Sequence, residues 1–189
     1  MLFTVNQRFE IIGGRLMFAK GDRIVYSFYG ICMVAGIVDK VVNGENRKYY
    51  ELRPLADSKS IIYTPIDSKK VLLRSIVSKE EAQDILNSMD EMEIVWPENV
   101  WKRNQEFKLI TQNADLRLNV NLYKVLLLRQ LQLKEAGKKM IVQDIKILDT
   151  VGTLVCAEIE EALGLETKEI ESQVEATAKK CMELVSEND

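Results

Sequence analysis

The chain has 189 residues, of which 47% are hydrophobic and 29% charged, and a formal net charge of -3. This composition excludes overall disorder. The absence of an apolar run of ~18–20 residues argues against a membrane span, and we expect a cytoplasmic protein. With no histidine and three widely spaced cysteines, the chain lacks His-based catalytic pairs and the spacing of a thiolate metal site. We therefore expect neither an enzyme nor a cofactor, and we expect the cysteines to be buried.

The first sixteen residues fit no regular pattern. Met17 precedes a strand-like segment directly and resembles a natural protein start, and the pair Gly13-Gly14 is what a translated ribosome-binding site encodes. We hypothesise that residues 1–16 are a translated leader. The alternative is a native extra strand or flexible arm, and N-terminal mass spectrometry of the native protein distinguishes the two.

Residues 17–77 have the pattern of a small β domain. Their apolar residues come in short runs rich in β-branched and aromatic side chains, separated by turn signals. The pair Asn43-Gly44 predicts a hairpin, and Gly36 predicts a bulge or bend that lets the sheet curl. Five strands of a small barrel are predicted at Arg23–Tyr26, Ile31–Val42, Lys48–Leu52, Ile61–Thr64 and Val71–Ile76.

Residues 78–189 have helical apolar spacing and predict an all-α domain, so that the whole chain is α+β. Ser78 and Glu81 form a capping box at its start, and Pro97 suits the first turn of the second helix. The predicted helices lie near residues 79–88, 98–112, 115–136, 142–163 and 167–185. Helix starts are expected to be capped by Asp115, Asp144 and Thr167, and helix ends by Gly137 and Gly164.

Charge is distributed unevenly along the chain. Residues 96–146 carry a balance of +5, between balances of -5 over residues 78–95 and -8 over residues 147–189. A basic block between acidic ones affects the choice of partner more than the net charge does. The acidic stretches are interpreted as solvated helix faces. The alternative is that they orient the basic face toward DNA.

The β domain resembles the RNA-polymerase-interacting module of the CarD (CdnL) family, which is similar to one in the transcription-repair coupling factor. The resemblance covers residues 17–77 and depends on a series of short motifs. These are Phe18-Ala19-Lys20-Gly21-Asp22-Arg23-Ile24-Val25-Tyr26, Gly30, Asn43-Gly44, Tyr49-Tyr50-Glu51-Leu52, Ile62-Tyr63-Thr64-Pro65 and Val71-Leu72-Leu73-Arg74. More loosely, the segments at residues 97–103 and 126–129 resemble parts of the family's helical domain.

The resemblance implies a Tudor-like five-stranded β-barrel that binds the RNA polymerase β subunit, followed by a helical domain that contacts DNA. In that family the helical domain reaches the upstream edge of the promoter bubble without sequence specificity, and a tryptophan inserts at the minor groove. The open promoter complex then lives longer. The implied protein is a monomeric cytoplasmic regulator of transcription that reaches the nucleoid through polymerase.

Candidate site residues follow from the resemblance and from charge. Trp101 is the expected minor-groove wedge, the alternative being a core tryptophan. Phosphate contacts, which a solvated helix face would resemble, are expected from Lys102, Arg103, Lys108, Lys124, Arg129, Lys138 and Lys139. Polymerase binding by strand pairing is expected to involve Lys40, Arg53 and Tyr63, which could also be ordinary surface residues.

An alternative function is a polymerase-docking adaptor. In that case the β domain binds polymerase, while the helical domain binds another protein through its acidic surface rather than DNA.

Overall fold

The computed structural model describes residues 10–12, 15–57, 59–68, 72–91 and 96–186. The chain divides into two compact units, residues 1–75 and 76–189. Within the described ranges, no helix is long and apolar enough to cross a membrane.

The first unit contains two antiparallel β-sheets. Strands β1 (Glu10–Ile12) and β2 (Arg15–Met17) form a two-stranded pair. The main sheet has the strand order β6-β5-β4-β3-β7. Its strands are β3 (Arg23–Tyr26), β4 (Ile31–Val42), β5 (Glu45–Pro54), β6 (Ile62–Pro65) and β7 (Leu73–Ser75).

The five predicted strands are therefore confirmed, but the closed barrel is not. Among the described residues, β6 and β7 lie at opposite edges of an open sheet, and the Tudor-like barrel stays a prediction. Val71, the predicted start of the last strand, lies outside the described residues, and so do residues 1–9, 13 and 14 of the predicted leader.

Alternation along the strands explains the sheet's core. Successive side chains point to opposite faces, so Val34, Tyr50 and Leu52 are buried while their neighbours face outward. The register of β4 and β5 shifts between Val34 and Gly36, which confirms the predicted bulge. Asn43 and Gly44 have φ values of 53° and 79°, the left-handed conformations that a tight hairpin requires.

The described part of the second unit contains five α-helices packed around one hydrophobic core. They are α1 (Lys79–Asn87), α2 (Val100–Asn113), α3 (Leu116–Glu135), α4 (Val142–Leu163) and α5 (Thr167–Ser186). Phe107, Leu122, Leu126, Val155 and Ile159 are among its fully buried side chains. Each bound lies within about two residues of the prediction.

Three of the predicted helix caps are confirmed. The Ser78 hydroxyl accepts a hydrogen bond from Glu81 N, and the Asp115 carboxylate accepts one from Leu118 N. Gly164 ends α4 in the left-handed conformation, with a φ of 71°. Local hydrogen-bonding chemistry sets these boundaries, so neighbouring residues are enough to predict them.

Two other terminal assignments are wrong. Pro97 precedes Asn99, the residue whose side chain caps α2, so Pro97 lies outside that helix. Asp144 does not cap α4, because the residue before the helix is Ile141 and the Asp144 side chain is buried elsewhere.

The expected burial of the cysteines holds for two of the three. Cys32 and Cys156 are buried free thiols. Burial raises the pKa of Cys32 to about 12 and, with a smaller contribution from Glu171 and Glu160, that of Cys156 to about 11. Both are therefore protonated at neutral pH. Cys181 is only half-buried, which corrects the expectation for that residue.

Candidate polymerase and nucleic-acid interfaces

One face of the main sheet carries all three residues predicted to bind polymerase. Directly paired residues share a face, and Glu51 is paired with both Gly36 and Tyr63. Lys40 is four residues from Gly36 on β4, and Arg53 is two residues from Glu51 on β5. Because side chains alternate between faces, both lie on this face as well. The Lys40 ammonium lies 3.0 Å from the centroid of the Tyr63 ring, a cation–π contact.

Glu51, which is not among the predicted contact residues, contacts both Tyr63 and Arg53. The Tyr63 hydroxyl donates to Glu51 Oε2 at 3.4 Å, and Arg53 Nη2 lies 3.5 Å from Glu51 Oε1. Such surface pairs contribute only ~0–1 kcal/mol each to stability. They order the side chains, while Tyr63 and the neighbouring Met33 remain exposed by 41% and 37%. Exposed Tyr, Met and Arg together are typical of protein–protein contact surfaces.

The edge strand β6 presents its own backbone beside this face. Ile66 N–H donates to Lys48 O at 3.1 Å, which sets the phase of hydrogen bonding with β5. Opposed antiparallel pairs alternate between bonded and non-bonded, so Thr64 bonds to β5 while Tyr63 and Pro65 direct their backbone groups away from it. Pro65, which has no N–H, is tolerated at such a position.

Tyr63 is therefore the residue of β6 that directs both a backbone N–H donor and a backbone C=O acceptor outward. The Pro65 carbonyl already accepts from Ser68 N at 3.1 Å, within the following turn. In the described part of the sheet, β6 pairs with β5 alone. An incoming strand would therefore pair with the N–H and C=O of Tyr63.

In the helical unit, Trp101 is a surface residue. Its side chain is 72% exposed at the second position of α2, so the core alternative is wrong. The Asn99 side chain accepts from Lys102 N at 3.0 Å and fixes the start of the helix beneath it. Lys102 is exposed and lies 3.7 Å from Glu106, one turn further on.

Arg103 is not a surface cation but a buried structural one. It is 5% exposed and forms a two-pronged ion pair with Asp144, with Nε–Oδ1 at 3.1 Å and Nη2–Oδ2 at 2.8 Å. Its Nη1 donates to the carbonyl of Pro97 at 2.8 Å, and its guanidinium lies 4.6 Å from the centre of the Trp96 ring. Each of its three nitrogens donates to an internal acceptor, so the prediction that Arg103 contacts phosphate is wrong.

This arrangement fixes the start of α2 relative to α4. Trp96 packs its ring edge against Phe107, with ring centres 5.7 Å apart, at the border of the helical core. Arg129 lies 5.5 Å from the Trp96 ring and is half-buried, which reduces its reach toward a phosphate. The segment before α2 is thus held from three sides, and Trp101 follows it directly on a helix whose first turn is fixed.

Lys124 is the second predicted phosphate contact that proves to be internal. It is 3% exposed, and its ammonium donates to the Met89 carbonyl at 2.7 Å. A buried lysine needs such partners because desolvation of an unpaired charge is costly. Apolar residues of α3 flank Lys124 on both sides. The charge of Lys124 alone gives no indication that its side chain is buried.

The remaining predicted cations are on the surface. Lys102, Lys108, Lys138 and Lys139 are exposed. Lys108 lines a groove of about 300 Å³ between α2 and α4, and Lys146 lines the same groove. Lys146 was not among the predicted contacts, because the two helices meet only in the folded unit.

Comparison with known protein families gives a match in the β domain. Residues 18–77 match the family model described as CarD-like/TRCF RID domain. This segment is therefore similar to a CarD-like, RNA-polymerase-interacting module. The match spans 60 of 189 residues and ends where the helical unit begins. No curated protein matches the chain significantly.

The RID domain supports interaction with RNA polymerase and a role related to transcription. It is a protein-interaction domain and does not define an enzyme family. The outer face around Glu51 and the open edge of β6 both belong to it, so the residues predicted to bind polymerase lie within the matched range.

Proposed function

We propose that this chain regulates transcription initiation by docking on the RNA polymerase β subunit and stabilising the open promoter complex. Docking is assigned to the RID domain, and DNA contact at the upstream edge of the bubble to the helical unit. The proposal depends mainly on one observation, the 72% exposure of Trp101 on a helix start fixed by buried contacts. Trp101 and its exposed neighbour Val100 form an apolar surface next to the exposed Lys102, which suggests a surface that another molecule covers.

In this proposal the chain docks on polymerase by strand addition at β6. A polymerase strand would exchange backbone hydrogen bonds with Tyr63, while Lys40, Arg53 and Tyr63 contact its side chains. The Arg53 side chain is 46% exposed, and its guanidinium can still form a bidentate pair with a carboxylate on the partner. Backbone bonds then supply affinity, and the side chains select the partner.

DNA contact is assigned to the exposed surface of the helical unit. Trp101 would insert at a minor-groove step, and phosphates would be met by Lys102, Lys108, Lys138 and Lys139, with Lys146 added from the α2–α4 groove. Arg103 and Lys124 are excluded by their burial, and Arg129 is at most a secondary contact. With so few cations, binding to free DNA is weak, and docking on polymerase provides the effective concentration.

The mechanism is differential binding. A wedge fits partly unstacked DNA better than closed duplex, so the equilibrium shifts toward the open complex by the difference in binding free energy. Such a regulator acts in the cytoplasm, as a monomer on the nucleoid-bound polymerase, and needs no cofactor.

The substitution Tyr63→Pro tests the docking mode. Proline removes the one outward N–H of β6 and is tolerated by the fold there, because that N–H is not used by β5. We expect binding to core polymerase to weaken at least tenfold. Surface plasmon resonance with immobilised full-length chain measures the change.

The matched control is Tyr63→Phe, which keeps the backbone donor and the ring beneath Lys40 and loses only the hydroxyl. It should bind within about threefold of the wild type, because the 3.4 Å bond to Glu51 is exposed and weak. Equal binding by Tyr63→Pro and wild type, with both chains folded by circular dichroism, would exclude strand addition at β6.

A further inference from the structure

A cavity of about 580 Å³ lies in the helical unit between α3, α4 and α5. Its size is in the range of small-molecule sites. Apolar surface comes from Leu127, Leu148, Cys156 and Ala157, and the polar groups around it are mainly carboxylates and hydroxyls. Neither docking on polymerase nor contact with DNA uses it.

Three exposed carboxylates border the cavity, those of Asp149, Glu160 and Glu171. Asp149 and Glu160 are eleven residues apart on α4, which puts them on the same side of the helix and about 16 Å apart along its axis. Glu171 of α5 borders the cavity between them, because its charge acts on Tyr123 as well as on Cys156. Within the described chain none of the three forms an ion pair.

Between Asp149 and Glu160 lies a tyrosine hydroxyl that has no hydrogen-bond partner among the described residues. Tyr123 is only 7% exposed, yet it lines the cavity and its hydroxyl forms no hydrogen bond with any residue that the structure describes. Its ring is packed on Gly152, where an added Cβ would come within 3.1 Å of Tyr123 Cε2. The glycine therefore permits the close approach that fixes the phenol at the cavity wall.

The electrostatic potential in the cavity is negative. Burial raises the pKa of Tyr123 to about 12, and Cys156, Glu171, Glu175 and Asp149 add to the rise. The hydroxyl therefore stays protonated at neutral pH, where it can donate to one group and accept from another. An anionic ligand such as a nucleotide is disfavoured here.

We propose that this cavity binds a linear aliphatic polyamine. Its terminal ammonium groups would pair with Asp149 at one end and with Glu160 at the other, and Glu171 would lie beside the chain between them. Its methylene groups would lie on the apolar wall, and an inner ammonium would donate to the Tyr123 hydroxyl. The inference is independent of the proposed function.

Spacing favours this class over other cations. After one charge-assisted bond of ~2.8 Å is subtracted at each end, the terminal nitrogens would be about 10–11 Å apart. A triamine such as spermidine has this reach, whereas the diamine putrescine is too short to reach both ends. A single divalent metal ion requires several oxygens within ~2–2.6 Å of one point, and among the described residues no group of three or more His, Cys, Asp or Glu side chains could hold one.

Titration calorimetry of the full-length chain with spermidine, at constant ionic strength, tests the proposal. We expect saturable binding of one equivalent, with putrescine at least tenfold weaker. Asp149→Asn and Glu171→Gln should each weaken spermidine binding about tenfold, because each removes one charged partner. Tyr123→Phe should weaken it several-fold and keep the packing on Gly152.

The matched control is Glu169→Gln on α5. It removes the same charge from an exposed position near Glu171 but outside the cavity lining, and it should bind spermidine like the wild type. Circular dichroism of each variant verifies the fold. Several results would overturn the proposal: no saturable binding, equal weakening by the control, equal binding of Mg²⁺ at the same charge concentration, or binding of a lysine-rich peptide but not of spermidine.

Discussion

Replacing Asp144 with Ala is expected to lower the free energy of unfolding by about 3–5 kcal/mol. The substitution leaves the Arg103 guanidinium buried without its counter-charge, and removing one partner of a buried ion pair typically costs this much. Both side chains are almost fully buried, at 6% and 4% exposure, so water cannot replace the lost contact. Urea unfolding monitored by tryptophan fluorescence measures the change, since Trp96 lies against the same guanidinium.

Asp149→Ala is the matched control, because it removes an exposed aspartate from the same helix. It should change stability by no more than about 0.5 kcal/mol. The double substitution of Arg103→Met with Asp144→Leu should recover part of the loss, since an apolar pair can replace a buried ion pair. A stability of Asp144→Ala equal to that of the control would contradict the structural role of this pair.

Replacing Trp101 with Ala is expected to shorten the lifetime of the open promoter complex while leaving polymerase binding intact. If the wedge favours the open state by ~1.4 kcal/mol, the open-to-closed equilibrium falls about tenfold. Because the side chain is 72% exposed, the free energy of unfolding should hardly change. The decay of heparin-resistant complexes on a promoter, formed with wild-type or variant chain, measures the lifetime.

Leu109→Ala is the control for Trp101. Leu109 is also an exposed apolar residue of α2, at 58%, but it lies two turns further along the helix from the fixed first turn. Its loss should leave the lifetime unchanged. Identical lifetimes for wild type and Trp101→Ala would refute the wedge and favour the adaptor, in which the helical unit binds a protein instead of DNA.

Local chemistry made much of the fold predictable from the sequence. The hairpin at Asn43-Gly44, the bulge at Gly36 and the cap at Ser78 each depend on conformational or hydrogen-bonding preferences of a few adjacent residues. Apolar periodicity then gave the helix bounds to within about two residues. Closure of the sheet depends on contacts between distant strands, and its prediction was not confirmed.

The errors concern side chains whose partners are distant in sequence. The resemblance and its charge predict that Arg103 lies on the surface as a phosphate contact, but Asp144, forty-one residues later, pairs with it inside the unit. The same contact explains why Asp144 does not cap α4, since its carboxylate is bonded to Arg103. Lys124 likewise bonds to Met89, thirty-five residues earlier. Neither partner could be identified from spacing along the chain.

For the candidate sites, the sequence suggests residues but not their arrangement. Lys40, Arg53 and Tyr63 were singled out separately, and only the register of β4, β5 and β6 brings them to one face around Glu51. Lys146 is not among the predicted contacts for the same reason, since its place opposite Lys108 depends on how α2 packs on α4.

The most direct test of the account is binding of the full-length chain to cognate core RNA polymerase. The family match supports interaction with RNA polymerase. The proposed docking at β6 predicts saturable binding with one chain per polymerase, strongly weakened by Tyr63→Pro and unaffected by Trp101→Ala. Binding should not require promoter DNA, because docking is assigned to the β domain alone. A folded chain that fails to bind core polymerase would contradict the proposed docking and leave the DNA-contacting role without its anchor.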